Sequence, residues 1–138
     1  PIKLFQSLRH SIRMKALLYV AMGGALGAVM RYGISSGIYS WFGRGFPYGT
    51  LVVNVMGSFA IGIFSILLIE KFNVSHELRL ALVVGVLGAL TTFSTFSWDT
   101  LDLMQQGLMQ RAFLNVLLNV VTCITAAWLG AQLARSYI

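Results

Sequence analysis

The sequence predicts an all-α membrane protein of four transmembrane helices, the third of them broken. Three observations predict it. Hydrophobic residues make up 57% of the 138 positions and charged residues only 10%. Four apolar runs, each long enough to cross a bilayer, follow one another with short connections, and a hydroxyl cluster interrupts the third. A soluble domain of this length needs far more polar surface than such a composition supplies. Four spans of roughly 20 residues consume most of the chain, which leaves one membrane domain, 16–138, behind a basic leader, 1–15. The formal charge of +6 does not indicate nucleic acid, because the basic residues are dispersed at the ends of the apolar runs and not gathered on one face.

The leader holds Lys3, Arg9, Arg13 and Lys15. No small-residue cleavage pattern follows a short apolar core, so it reads as a cytosolic leader and not as a signal peptide. The first span, about 16–38, ends before Trp41, Gly43, Arg44, Gly45 and Pro47, a turn signal beside an interfacial aromatic. The second, about 49–69, ends at a polar connection with Glu70, Lys71, Asn73, His76, Glu77 and Arg79. The third covers about 78–104 and is followed by Gln105, Gln106, Gly107 and Arg111; the fourth covers about 112–134. No connection is long enough to fold alone, so the function resides between the helices.

An even number of spans puts both termini on one side. That side carries seven basic residues (Lys3, Arg9, Arg13, Lys15, Lys71, Arg79, Arg135) against Arg44 and Arg111 opposite, which favours cytoplasmic termini. Small residues recur four apart at Gly23 and Gly27, Gly33 and Gly37, Ser58 and Gly62, and Gly85 and Ala89, a spacing that lets helices approach closely. Four helices scarcely enclose a water-accessible path by themselves, so an oligomer, most simply a dimer, is expected.

The chemistry concentrates in the third span, where Gly88-Ala89-Leu90-Thr91-Thr92-Phe93-Ser94-Thr95-Phe96-Ser97 falls at mid-membrane. Five of the seven residues from Thr91 to Ser97 carry hydroxyls, which compete for backbone hydrogen bonds, and Gly85 and Gly88 loosen the preceding turn. A broken helix is expected there, the alternative being hydroxyls that bond back within an unbroken one. Non-helical backbone at that depth must be buried in protein or line a hydrated cavity, and its freed carbonyls suit a hard cation. Phe93 and Phe96, three apart, share one side of a helical turn. They are either apolar bulk or, presented edge-on, weak partners for a dehydrated anion.

Span two carries Thr50, Asn54, Ser58 and Ser65 close to one face, and span four carries Asn115, Asn119, Thr122 and Cys123. These polar stripes either donate to an anion or hydrogen-bond between helices; Asn54, near the middle of its span, favours the first use. Arg31 is the one basic residue inside a span and away from its first residues. A charge there costs about 3 kcal/mol on insertion scales, and either an anion-attracting vestibule or snorkelling to the interface accounts for it. Asp99 and Asp102 are expected to face water or a basic group. Cys123 is the single cysteine, with no metal-ligand spacing around it. No catalytic constellation of His, Cys, Ser or carboxylates stands in the spans, which points to transport and not to an enzyme.

The residues then resemble those of the Fluc or CrcB fluoride channels. The matching stretches are Gly23-Gly24 through Gly27 with Arg31, Gly49-Thr50-Leu51-Val52-Val53-Asn54 with Gly57 and Gly62, Gly88 through Ser97, and Leu114-Asn115-Val116-Leu117-Leu118-Asn119. The resemblance runs from Met14 almost to the end of the chain. It implies a cell inner (plasma) membrane channel that passively exports cytoplasmic fluoride. It further implies an antiparallel, dual-topology homodimer in the lipid bilayer with two fluoride pathways at its interface. A structural sodium ion (Na+) would sit at the dimer centre on the backbone carbonyls of Gly88 and Thr91. Phe93 and Phe96 match the aromatic pair of the pathway, Asn54 the pore asparagine, and Arg31 the arginine of span one. Ser94, Thr95, Asn119 and Cys123 complete the candidate anion pathway. Two features depart from the pattern: Cys123 stands where many members carry a serine, and the uneven Lys and Arg count fits poorly with dual insertion unless the leader contributes little, which leaves a paired subunit of opposite orientation as the alternative to the favoured homodimer. The alternative function, a small four-span proton-coupled exporter, requires a carboxylate in the first span, where this chain has Arg31.

Overall fold

The computed structural model of the chain describes residues 2–72 and 74–138, with side chains from residue 13 onward apart from those of residues 69 and 70. The side chains of Lys3, Arg9, Ile69 and Glu70, and the whole of Asn73 in the second connection, therefore lie outside the described residues. Among the described residues, four helices are long and apolar enough to cross a membrane, over Arg13–Phe42, Tyr48–Ile66, His76–Gln105 and Met109–Arg135.

Helix α1 (Ile2–Phe42) is continuous from the leader into the first span. The only two prolines in the chain are Pro1 and Pro47, so no proline interrupts the hydrogen-bond ladder of α1. Gly43 ends the helix by turning left-handed, φ +74°, while its N–H bonds the Tyr39 carbonyl at 3.0 Å. Helix α2 (Tyr48–Ile66) starts after Pro47, and its last turn widens into a π-helical segment over Leu67–Lys71. The Phe72 N–H closes that segment on the carbonyl of Leu67, five residues back, at 3.0 Å. The Ser75 hydroxyl caps α3 (His76–Arg79) by accepting the Leu78 N–H at 3.3 Å.

The third span does not run as one α-helix even before its break. From α3 the chain continues as a π-helix over Leu80–Leu87 and then as the short α4 (Gly88–Leu90). Two extended residues follow, and α5 (Phe93–Gln105) completes the crossing. At its end the Leu108 N–H bonds the Leu103 carbonyl at 2.9 Å and the Gly107 N–H bonds Met104 at 3.0 Å. That pair of bonds requires a left-handed residue, supplied by Gly107 at φ +76°. Helix α6 (Met109–Arg135) then crosses without interruption.

Two pairs of spans lie nearly backbone to backbone. A Cβ placed on Gly23 would collide with the Ala81 carbonyl, and one on Gly85 would come within 2.9 Å of the Gly23 Cα. Likewise a Cβ on Gly62 would strike the Ala127 carbonyl, and one on Gly130 the carbonyl of Phe59. The spacing of Gly23 with Gly27 therefore serves contacts within the chain, as does Gly62 of the Ser58 and Gly62 pair. Gly33 and Gly37 are different: among the described residues nothing lies within 4 Å of where their Cβ atoms would be. Replacing Gly62 by valine should push α2 from α6 and lower stability by about 1–3 kcal/mol, as overpacking against a rigid wall does. Thermal unfolding in detergent measures it, and an unchanged midpoint would contradict so close a crossing.

Polarity is inverted relative to a protein in water. Met22, Val29, Phe113 and Ile124 point outwards, as lipid-facing residues should, while Thr50, Asn54, Thr92, Asn115 and Asn119 are buried. A small apolar cluster of Val53, Leu87 and Leu90 sits beside the break, with Ile34, Ala60 and Phe64 packed against it.

Candidate functional site: a groove and a vestibule at the helix break

The break occupies Thr91 (φ −80°, ψ 153°) and Thr92 (φ −150°, ψ 111°). Thr91 still belongs to the preceding helix on its N-terminal side, since its N–H and its hydroxyl both bond the Leu87 carbonyl, at 3.0 and 2.9 Å. Beyond it the ladder is diverted. In a continuous helix the Thr92 N–H would serve Gly88; here it bonds Asn54 Oδ1 at 2.7 Å. The Thr95 N–H would serve Thr91; here it bonds the Thr92 hydroxyl at 3.1 Å, an N-cap for α5. The carbonyls of Gly88 and Thr91 are thus released from helical pairing. The N–H groups of Phe93 and Ser94, at the first two positions of α5, likewise have no carbonyl within their own helix. A positive helix end consequently opens in the middle of the membrane.

Asn54 holds this arrangement. Besides accepting from Thr92, it donates through Nδ2 to the Thr92 carbonyl at 3.2 Å and to Asn119 Oδ1 at 3.1 Å. Asn119 in turn donates to the Asn115 carbonyl and to Asn115 Oδ1, both at 3.0 Å. Both carboxamides therefore have their two hydrogens committed to protein acceptors. Of the two uses that the sequence leaves open for these stripes, interhelical bonding is the one made by Asn54 and Asn119 in the single chain.

Beside the clamp lies a groove of about 430 Å³. Phe93, Phe96, Asn54, Asn119, Cys123, Gly88 and Thr91 all line it, so seven of the ten candidate residues converge on one space. The two rings lie 5.3 Å apart and 56° from coplanar, so that an edge of one meets the other ring obliquely. Phe96 is buried at 9% exposure, whereas Phe93 is 79% exposed on the single chain. The Cys123 thiol is free and half-buried.

On the other side of Thr92, which lines both spaces, is a polar vestibule of about 650 Å³. Arg31 and Thr95 belong here, together with Arg44, Arg111, Asp99 and Asp102. Asp99 takes a hydrogen bond from Thr50 at 2.6 Å, and the Tyr39 hydroxyl lies 3.4 Å from the same threonine oxygen. Arg44 lies over the Tyr39 ring, 5.3 Å from its centre, and Arg111 fastens the first connection by donating to the Gly45 carbonyl at 2.9 Å. Asp102 accepts from Gln106 at 2.7 Å. Ser94, the last candidate, lines neither space; it is exposed at the rim, its hydroxyl 3.2 Å from that of Thr92.

Sequence reasoning did not include Asp99 or Thr50 in the site. The available signal was spacing: Thr50 sits one turn before Asn54, and Asp99 three residues after Phe96, which puts each pair on one helical face. Among the described residues no group of His, Cys, Asp or Glu could hold a metal ion. The oxygens that remain at the break are backbone carbonyls, hydroxyls and carboxamides.

The family model for CrcB-like protein, Camphor Resistance (CrcB), matches residues 18–131. This chain belongs to the CrcB family. Three relatives named "Fluoride-specific ion channel FluC" show how the similarity is distributed. The protein from Shewanella amazonensis is 53% identical over 89% of this chain and 98% of its own length. That from Hydrogenovibrio crunogenus is 48% identical over 93% of this chain and 97% of its own length. That from Methylococcus capsulatus is 52% identical over 87% of this chain, which spans about half (53%) of the longer relative. With four apolar helices, this CrcB-family chain is a multi-pass membrane protein, and the break, groove and vestibule all fall within the matched segment.

Proposed function

We propose that the chain is a fluoride-selective channel subunit that lets cytoplasmic fluoride leave the cell down its gradient. The observation that carries the reading is the aromatic pair on the first turn of a helix that begins at mid-membrane. Fluoride is small and strongly hydrated, so passage demands many weak substitutes for water and no tight grip. The ring edges of Phe93 and Phe96 supply such partners, and the unpaired N–H groups of α5 add positive potential close by. Arg31, Arg44 and Arg111 draw anions into the vestibule, where Asp99 and Asp102 temper the attraction. Outside acid drives neutral hydrogen fluoride inwards, the cytoplasm ionises it, and the trapped anion exits without an energy source.

The assembly in this proposal is a homodimer of antiparallel subunits inserted in both orientations. A single chain leaves Phe93, Ser94 and Ser97 exposed at mid-membrane, a partly polar surface that lipid does not solvate, and a second copy would cover it. The proposal also includes a structural sodium ion. The freed carbonyls of Gly88 and Thr91 are hard oxygen donors of the right kind for it, and bound there it would supply positive charge that holds two breaks together.

Purified protein in liposomes tests the function. Fluoride should leave potassium-fluoride-loaded vesicles rapidly once potassium is shunted by valinomycin, and chloride should not. Chloride efflux at a comparable rate would overturn the channel reading. Fluoride movement that stops when the proton gradient is collapsed would favour a proton-coupled exporter.

A further inference from the structure

One line of hydrogen bonds leaves the break and comes back to it. The Thr92 N–H donates to Asn54 Oδ1 at 2.7 Å, Asn54 Nδ2 to Asn119 Oδ1 at 3.1 Å, and Asn119 Nδ2 to Asn115 Oδ1 at 3.0 Å. Asn115 Nδ2 then donates to Thr100 Oγ1 at 2.9 Å, and that hydroxyl donates to the Phe96 carbonyl at 2.8 Å. Every bond points the same way. The line starts at the backbone of Thr92, crosses α2 and α6, and ends at the backbone of Phe96, four residues further along the same chain. The two rings of the groove lie on the turn between these anchors.

We infer that Asn115 is a positioning residue for the aromatic pair: it joins the arm that ends at Thr92 to the arm that ends at Phe96 and so fixes α5 against the break. Its side chain is fully buried, at 0% exposure, and lines neither the groove nor the vestibule, so it does not meet an ion. It is the joint between the relay's two arms. Because Thr100 uses its own hydrogen on Phe96, its oxygen can only accept, so Asn115 must present its N–H₂ there and its oxygen to Asn119. Asn119, whose N–H₂ is also held by the Asn115 main-chain carbonyl at 3.0 Å, presents its oxygen to Asn54, which leaves the Asn54 oxygen for the Thr92 N–H. Bonds aligned head to tail polarise one another in a low dielectric, so removing the joint weakens both ends together. Sequence spacing shows Asn115 and Asn119 one turn apart on α6, but only the fold shows that the other end of the line is Phe96.

The consequence for transport rests on the fluoride reading above; the consequence for the break does not. The experiment therefore reads two quantities in the reconstituted full chain, hydrogen exchange at the Thr92 amide and fluoride efflux. Asn115→Ala should speed exchange at Thr92 about tenfold, the effect of losing roughly 1.4 kcal/mol of protection, although the two residues share no contact. It should slow efflux by a similar factor. Thr100→Val, which removes only the hydroxyl, should slow efflux as well; Thr100→Ser should restore it; and the double variant N115A/T100V should be no slower than N115A, because both cut one line. A relay that merely adds stability would instead give additive losses and no long-range change in exchange. Unchanged exchange at Thr92 in N115A overturns the inference whatever happens to efflux, and so does additive loss in the double variant. A wild-type protein that carries no fluoride would count against the function proposed above while the exchange result still decides this point. Should N115A fail to fold, the Thr100→Val and Thr100→Ser pair decides by the same exchange measurement.

Discussion

Asn54→Ala should eliminate fluoride efflux, lowering it on the order of a hundredfold or more, and should destabilise the protein at the same time. Thr92 lies outside any helix, its N–H bonds Asn54 at 2.7 Å, and its carbonyl accepts from the same side chain at 3.2 Å. Water would satisfy both groups in a loop at the surface, but Thr92 is buried. A buried polar group left without its partner costs about 1–3 kcal/mol, and alanine strands two of them as well as Asn119 Oδ1. The chain can recover part of that loss only by closing the break, which would return the Thr92 N–H to Gly88 and the Thr95 N–H to Thr91. Closing it withdraws the positive helix end and rotates Phe93 and Phe96 away from the groove. A shift of about 3 kcal/mol between open and closed break is already a hundredfold change in population. Efflux assays read the loss of transport, and thermal unfolding in detergent reads the loss of stability. Near-normal efflux from Asn54→Ala would show that the break does not depend on the clamp.

How much of this was legible beforehand differs from element to element. The four crossings were, because length and apolar content are what a bilayer selects for, and their observed limits lie close to the runs in the sequence. The break was legible too, since Thr91 to Ser97 concentrates residues that prefer to bond their own backbone. Its location at Thr91 and Thr92 was not, because the hydroxyls alone do not say which of them caps the next helix; that depended on Asn54 reaching across from α2. The π-helical stretch over Leu80–Leu87 was also hidden. A run of Leu, Ala and Val is compatible with either ladder, and the close approach to Gly23 is a tertiary fact. The use of Asn54 and Asn119 as a clamp was open on the sequence, where a polar stripe serves equally for partners or for ions. Periodicity put those side chains on a face; only the packing of α6 against α2 showed that their hydrogens meet each other.

The aromatic pair separates a channel that works by ring edges from one in which the rings are only filler. Isoleucine keeps the bulk and the apolar character of phenylalanine but has no quadrupole, so a Phe93→Ile, Phe96→Ile double variant changes the electrostatics of the groove with little change in its lining. If each ring edge contributes about 1.4 kcal/mol to carrying the dehydrated anion past the narrowest point, at the upper end of what aromatic contacts supply, each replacement should slow fluoride about tenfold and the pair about a hundredfold. The structure also divides the two by burial. Phe93 is 79% exposed on the single chain, so Phe93→Ile should leave subunit stability nearly unchanged, whereas Phe96, at 9% exposure, packs inside and its replacement should also lower the unfolding midpoint. That asymmetry provides the control: slow fluoride efflux from a Phe93→Ile protein with wild-type stability cannot be assigned to misfolding. Fluoride efflux from the double variant at the wild-type rate would mean that the ion passes without meeting the rings. The path would then have to run along the N–H groups of α5 and the vestibule alone.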